Sequence, residues 1–175
     1  GLVEQQISGA IEALQETDAA SAEKIILRDH KVNALEVTID EACTQILARR
    51  QPAATDLRMV VAVIKTITDL ERIGDEAEKI AKMALSLAED DASFSSRYAG
   101  IRHLGDQVKR MVHDVLDAYA RLDVDAALKV VRDDDKADKE YQDLIRMLIT
   151  YMMEDPRSIS EVLDVIWAAR ALERI

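Results

Sequence analysis

The sequence predicts an all-α protein: two tandem antiparallel three-helix bundles, the second truncated. Three observations predict it. Apolar residues recur at helical spacing through six stretches, and no alternating apolar and polar run competes as strand. Chain breakers are scarce, with 5 glycines and 2 prolines in 175 residues, and only 3% of positions are aromatic. The second half also echoes the first. A shift of 105 residues superposes Asp18 on Asp123, Ala22 on Ala127, Asp29 on Asp134, Lys31 on Lys136 and Asn33 on Asp138. In the third helix of each half the shift becomes 102, placing Leu70-Glu71-Arg72-Ile73 on Leu172-Glu173-Arg174-Ile175. The repeats are read as residues 1–92 and 93–175.

A first helix is expected over about Leu2 to Glu16, on Val3, Ile7, Ala10, Ile11 and Leu14. Asp18 then offers an N-cap for a second helix to about Arg49, with Ile25, Val32, Leu35, Ile39, Ala42 and Ile46 facing inward. Pro52 stands at the entry to the third helix, where proline is tolerated, and that helix continues to about Ala88. Asp90, Asp91, Ser93, Ser95 and Ser96 read as a linker. A fourth helix follows over about Ser96 to Leu122, on Tyr98, Ile101, Leu104, Val108, Met111, Val115, Leu116 and Tyr119. Asp123 plays the part of Asp18 for a fifth helix, about Asp125 to Met153. Glu154-Asp155-Pro156 interrupts the chain before a sixth, about Ser158 to Ile175. The pattern starts without an initiator methionine and stops inside a helix, so a fragment is expected, cut within its last helix.

The third helix carries the chemistry. Its main stripe is Val60, Val63, Ile67, Leu70, Ile73, Ala77, Ile80 and Ala84. A flanking line runs Leu57, Val61, Ile64, Thr68, Glu71, Asp75, beginning apolar and ending in two carboxylates one turn apart. On the second helix a matching ladder runs Ile26, Asp29, Asn33, Glu36, Asp40, Cys43, Leu47. The second repeat offers Asp134 and Asp138, with Glu173. Spacing alone is weak, because 34 acids in this length give roughly 7 such pairs by chance, and solvated acidic faces are ordinary. The apolar flank, the recurrence and the facing ladder favour a metal site. Unpaired carboxylates ~6 Å apart would repel by roughly 3 kcal/mol at an effective dielectric near 20, which a cation relieves. Oxygen-only donors suit Mg, Mn, Ca or ferric iron better than structural zinc.

Other classes are disfavoured. A net charge of -11 opposes nucleic acid as a partner and suits cations or a basic protein surface. The longest apolar run, Met59 to Ile64, is far short of a membrane span, and nothing resembles a signal peptide. The lone Cys43 fits a reducing cytoplasm. His30 lies about 100° around the helix from the ladder, and His103 and His113 lack a Glu three residues before them. Trp167, Met147, Met152 and Met153 read as core or a helix-packing surface.

Three segments resemble the PhoU family, the phosphate-transport regulators of bacteria. They are Asp56-Leu57-Arg58 after Pro52, Leu70-Glu71-Arg72-Ile73-Gly74-Asp75, and Ala171-Leu172-Glu173-Arg174-Ile175. The resemblance covers essentially the whole chain. It implies two three-helix bundles with a multinuclear cluster of metal ions (Fe, Mn or Mg) in each repeat. The first would be held by Glu71, Asp75, Asp29 and Asn33, with Glu36 as a further candidate, and the second by Asp134, Asp138 and Glu173. Two departures are Asn33, where the family often has Asp, and Lys79, in place of a common Asn. The resemblance further implies a cytoplasmic adaptor, often a homodimer, that restrains the phosphate-starvation response. Its partners would be the ATPase subunit of the phosphate ABC transporter and a membrane sensor histidine kinase. It would meet the membrane only through them. Arg49, Arg50 and Arg58 are candidates for partner contact, although compensation of the helix dipole accounts for the first two. The alternatives are a carboxylate-bridged metal-dependent enzyme, which predicts a mixed Glu/His shell absent here, and a bundle whose acids merely face water.

Overall fold

The computed structural model describes residues 1–89 and 98–175, all of whose regular structure is helical. The linker expected over residues 90–96, and the expected start of the fourth helix at Ser96, lie outside the described residues. Among the described residues six α-helices follow one another: α1 Leu2–Glu16, α2 Ala19–Arg50, α3 Ala54–Glu89, α4 Ala99–Arg121, α5 Val124–Glu154 and α6 Ile159–Arg174. A 3-10 turn at Pro156–Ser158 joins the last two.

The helix ends expected from the repeat are built alike. Asp18 accepts from the backbone N–H of Ala20 and Ser21, and Asp123 from that of Ala126. Just before them Thr17 and Leu122 take left-handed backbone, φ 51° and 55°. The N–H of Asp18 reaches the carbonyl of Ala13 at 3.0 Å, and that of Asp123 the carbonyl of Ala118 at 2.9 Å. This six-to-one bond closes the preceding helix and turns the chain straight into the next.

In each half the helices pack on their apolar stripes. The halves join along α3 against α6 and α1 against α4. A Cβ on Gly105 of α4 would stand 3.1 Å from a methyl of Ile11 on α1, so glycine sets how closely those helices approach. Along α3 and α6, Glu76, 6% exposed, lies 3.0 Å from the Lys79 ammonium and 3.4 Å from the Arg174 guanidinium. Ser86 donates to Asp164 across the same seam at 2.9 Å.

Parts of the expected core are exposed. On α2, Ile25 and Val32 are buried, but Leu35 is 50% and Ile46 41% exposed, and Ala42 is exposed too. These positions lie on the part of α2 that packs on α3 and that Leu2–Glu16 of α1 does not cover. Val115 and Tyr119 on α4 are likewise about 40% exposed, and Trp167 is 55% exposed, a surface residue rather than core.

Candidate functional site

α2 and α3 run antiparallel and bring their acid ladders face to face. Asp29, one of three buried polar side chains among the described residues, is 7% exposed. Burial pushes its carboxyl above the usual carboxylate range, and the nearby charges of Glu78 and Asp75 push the same way. Burial also raises Glu71, with Asp75, Glu36 and Asp29 adding to it. The first-repeat candidates therefore share one electrostatic environment across two helices, and Glu78 extends it a turn further along α3. Among the described residues none of Asp29, Glu36, Glu71 and Asp75 is in a salt bridge. His30 points away, exposed. Asp40 is also exposed, while Cys43 is buried at the end of the ladder.

Asp29 is held by two amides. Gln6 of α1, 2% exposed, donates Nε2 to Oδ1 at 3.4 Å, and Asn33 donates Nδ2 to Oδ2 at 3.1 Å. Each amide keeps a buried carbonyl oxygen without a donor, Gln6 Oε1 and Asn33 Oδ1. Gly74 opens the space for this contact. A Cβ there would stand 3.2 Å from Asp29 Oδ1, 3.3 Å from Val32 Cγ1 and 3.6 Å from Gln6 Oε1.

In the second repeat Asp134, Asp138 and Glu173 border one open cavity of about 260 Å³ between α4, α5 and α6. Met111, Val108, Val112 and Ile73 supply its apolar wall. Burial raises the Asp134 carboxyl, with Asp138 and Asp135 adding to it. All three acids are largely exposed, in contrast to Asp29.

The donors of the first set are carboxylate and amide oxygens, the chemistry of a hard cation, and two of them are buried acceptors with no hydrogen to accept. The residues fit such an ion. Among the described residues no three His, Cys, Asp or Glu side chains converge as they stand to share one ion, so loading requires carboxylate rotamers to turn inward.

Sequence reading missed Gln6, Gly74, Glu78 and Met111. Gln6 had a signal: it is the one polar residue in the buried line Val3, Gln6, Ala10, Ala13 of α1. Glu78 continues the Glu71, Asp75 line by three residues.

The comparisons with known proteins agree with this architecture. The PhoU domain family matches residues 1–84 and 101–175. The phosphate-specific transport system accessory protein PhoU homolog of Pseudomonas putida is 54% identical over 175 residues, covering 100% of this chain and 68% of that protein. The crystal structure of PhoU from Pseudomonas aeruginosa superposes with a TM-score of 0.96 at 50% identity, covering 99% of this chain and 83% of that one. The phosphate transport system regulatory protein PhoU from Streptococcus pneumoniae gives a TM-score of 0.89 at 31% identity, over 99% and 80%. The chain belongs to the PhoU family.

Proposed function

We propose that this chain is an accessory protein of phosphate-specific transport that binds hard metal ions on its carboxylate ladders and acts as an adaptor, not an enzyme. The observation carrying the metal reading is the first-repeat set itself. Carboxylates from α2 and α3 face one another across a partly buried seam, and among the described residues no cationic side chain pairs with them and the buried amide oxygens beside them lack donors. An ion bound there cross-links α2 to α3 and fixes the shape that these two helices present to a partner. Asp29, Glu36, Glu71 and Asp75 with Asn33 would hold it in the first repeat, and Asp134, Asp138 and Glu173 in the second. Mn, Mg or Fe suits these oxygens.

The accessory role is supported by the names of the relatives above. In that reading the adaptor works in the cytoplasm as a homodimer, contacting the transporter ATPase subunit and the sensor histidine kinase and restraining the starvation response. No described helix is long and apolar enough to cross a membrane, consistent with contact through partners. Elemental analysis of the native protein beside a Glu71→Ala, Asp75→Ala double variant tests the site. Metal content should drop in the variant, and unchanged content refutes the assignment. Capture by the kinase's cytoplasmic region tests the adaptor role. Failure with both metal-loaded and stripped protein refutes it.

A further inference from the structure

We infer that Gln6 is a positioning residue for the first-repeat ion site and that it makes the two sites of the chain unequal. The inference rests on the metal reading above and goes beyond its ligand set. Gln6 lies on α1, which contributes no carboxylate to the ladders, yet its amide reaches between α2 and α3 to Asp29 Oδ1. Asn33 holds the other oxygen from one turn along α2. With a donor on each oxygen and the Gly74 notch behind it, the Asp29 carboxylate is fixed before any ion arrives. The orphaned Gln6 Oε1 is an independent sign. It is a buried acceptor with no hydrogen to accept, and a cation is the partner that satisfies amide and carboxylate oxygens together.

The second repeat has no such device. The 105-residue shift that aligns Thr17 with Leu122 and Asp29 with Asp134 places Met111 where Gln6 stands. Met111 borders the cavity holding Asp134, Asp138 and Glu173, so the position faces the site in both halves. A thioether donates no hydrogen, and no side-chain amide holds Asp134 among the described residues. In the first repeat Asp29 alone is thus oriented in advance by amides, and the second repeat offers a thioether where Gln6 stands. Losing a partner that orients a ligand typically weakens metal affinity 10- to 100-fold.

The test uses Mn²⁺, followed by the electron paramagnetic resonance of the free ion. In a chain carrying D134N and D138N, only the first site takes up Mn²⁺. Gln6→Met should weaken uptake by the folded chain 10- to 100-fold. A purely structural tie would lower the melting temperature of the ion-free protein and leave the affinity of the folded chain unchanged. In a chain carrying E71A and D75A, Met111→Gln should tighten the second site. Unchanged affinity in Gln6→Met overturns the positioning role, and unchanged second-site affinity in Met111→Gln overturns the inequality of the two sites. No uptake by the D134N, D138N parent overturns the metal reading and this inference with it.

Discussion

Gly74 faces Asp29 so closely that a single added carbon would stand 3.2 Å from the carboxylate Oδ1 and 3.3 Å from Val32 Cγ1. Alanine in a helix interior normally gains about 1 kcal/mol over glycine. Here neither neighbour can yield freely, because Asp29 is tied by two amides and Val32 is β-branched and buried. Gly74→Ala is expected to forfeit that gain and to weaken Mn²⁺ uptake, as read by urea denaturation and ion titration. A variant more stable by the full helical increment, with unchanged uptake, would contradict this account.

Asp29→Asn should separate the cost of the charge from its use. Two charges ~6 Å apart at a dielectric near 20 repel by roughly 3 kcal/mol, and access of water along the seam reduces this to about 1 kcal/mol. The ion-free variant should therefore melt higher than the parent, while added Mn²⁺ no longer raises its melting temperature. Thermal scans with and without chelator give both values.

The same shifts set a pH dependence. Asp29, Glu71 and Asp134 are raised, chiefly by burial. Above the ordinary carboxylate range they still hold protons in the folded chain that the unfolded chain has released. Folding stability therefore falls as pH rises through the raised values. Asp18 and Asp133 are lowered by hydrogen bonds from Ser21 and Lys136, and their contribution is lost as pH falls through the lowered values. Chelated protein should thus melt highest at mildly acidic pH. Melting that declines steadily from neutral pH downward would rule out the shared carboxylate seam.

Glu76 has two cations, Lys79 on its own helix at 3.0 Å and Arg174 across the bundle seam at 3.4 Å. Removing either alone leaves the buried carboxylate compensated, so Lys79→Ala and Arg174→Ala should each cost about 1 kcal/mol or less. The double variant strands the charge and should cost about 3 kcal/mol. A double-mutant cycle in urea reads the difference, and simple additivity would show that the seam does not depend on Glu76.

Much of this protein was legible along the chain. Helix positions follow from apolar periodicity and from the capping aspartates Asp18 and Asp123, both local properties, and the observed ends lie within a few residues of the expected ones. The 105-residue echo paired the capping aspartates Asp18 and Asp123, and the structure adds matching left-handed turns at Thr17 and Leu122. Candidate ligands could be named because an acid ladder on one helix face is also a local pattern.

Only the tertiary structure decided what those faces meet. It buried Ile25 and Val32 but exposed Leu35 and Ile46, because burial depends on which neighbour covers each turn, and a stripe does not encode its neighbours. It brought Gln6 to Asp29 across 23 residues and Arg174 to Glu76 across the bundle seam, contacts that no spacing within one helix records. Periodicity fixes the direction in which a side chain points from its own helix axis, and the partner standing there is chosen by how whole helices pack.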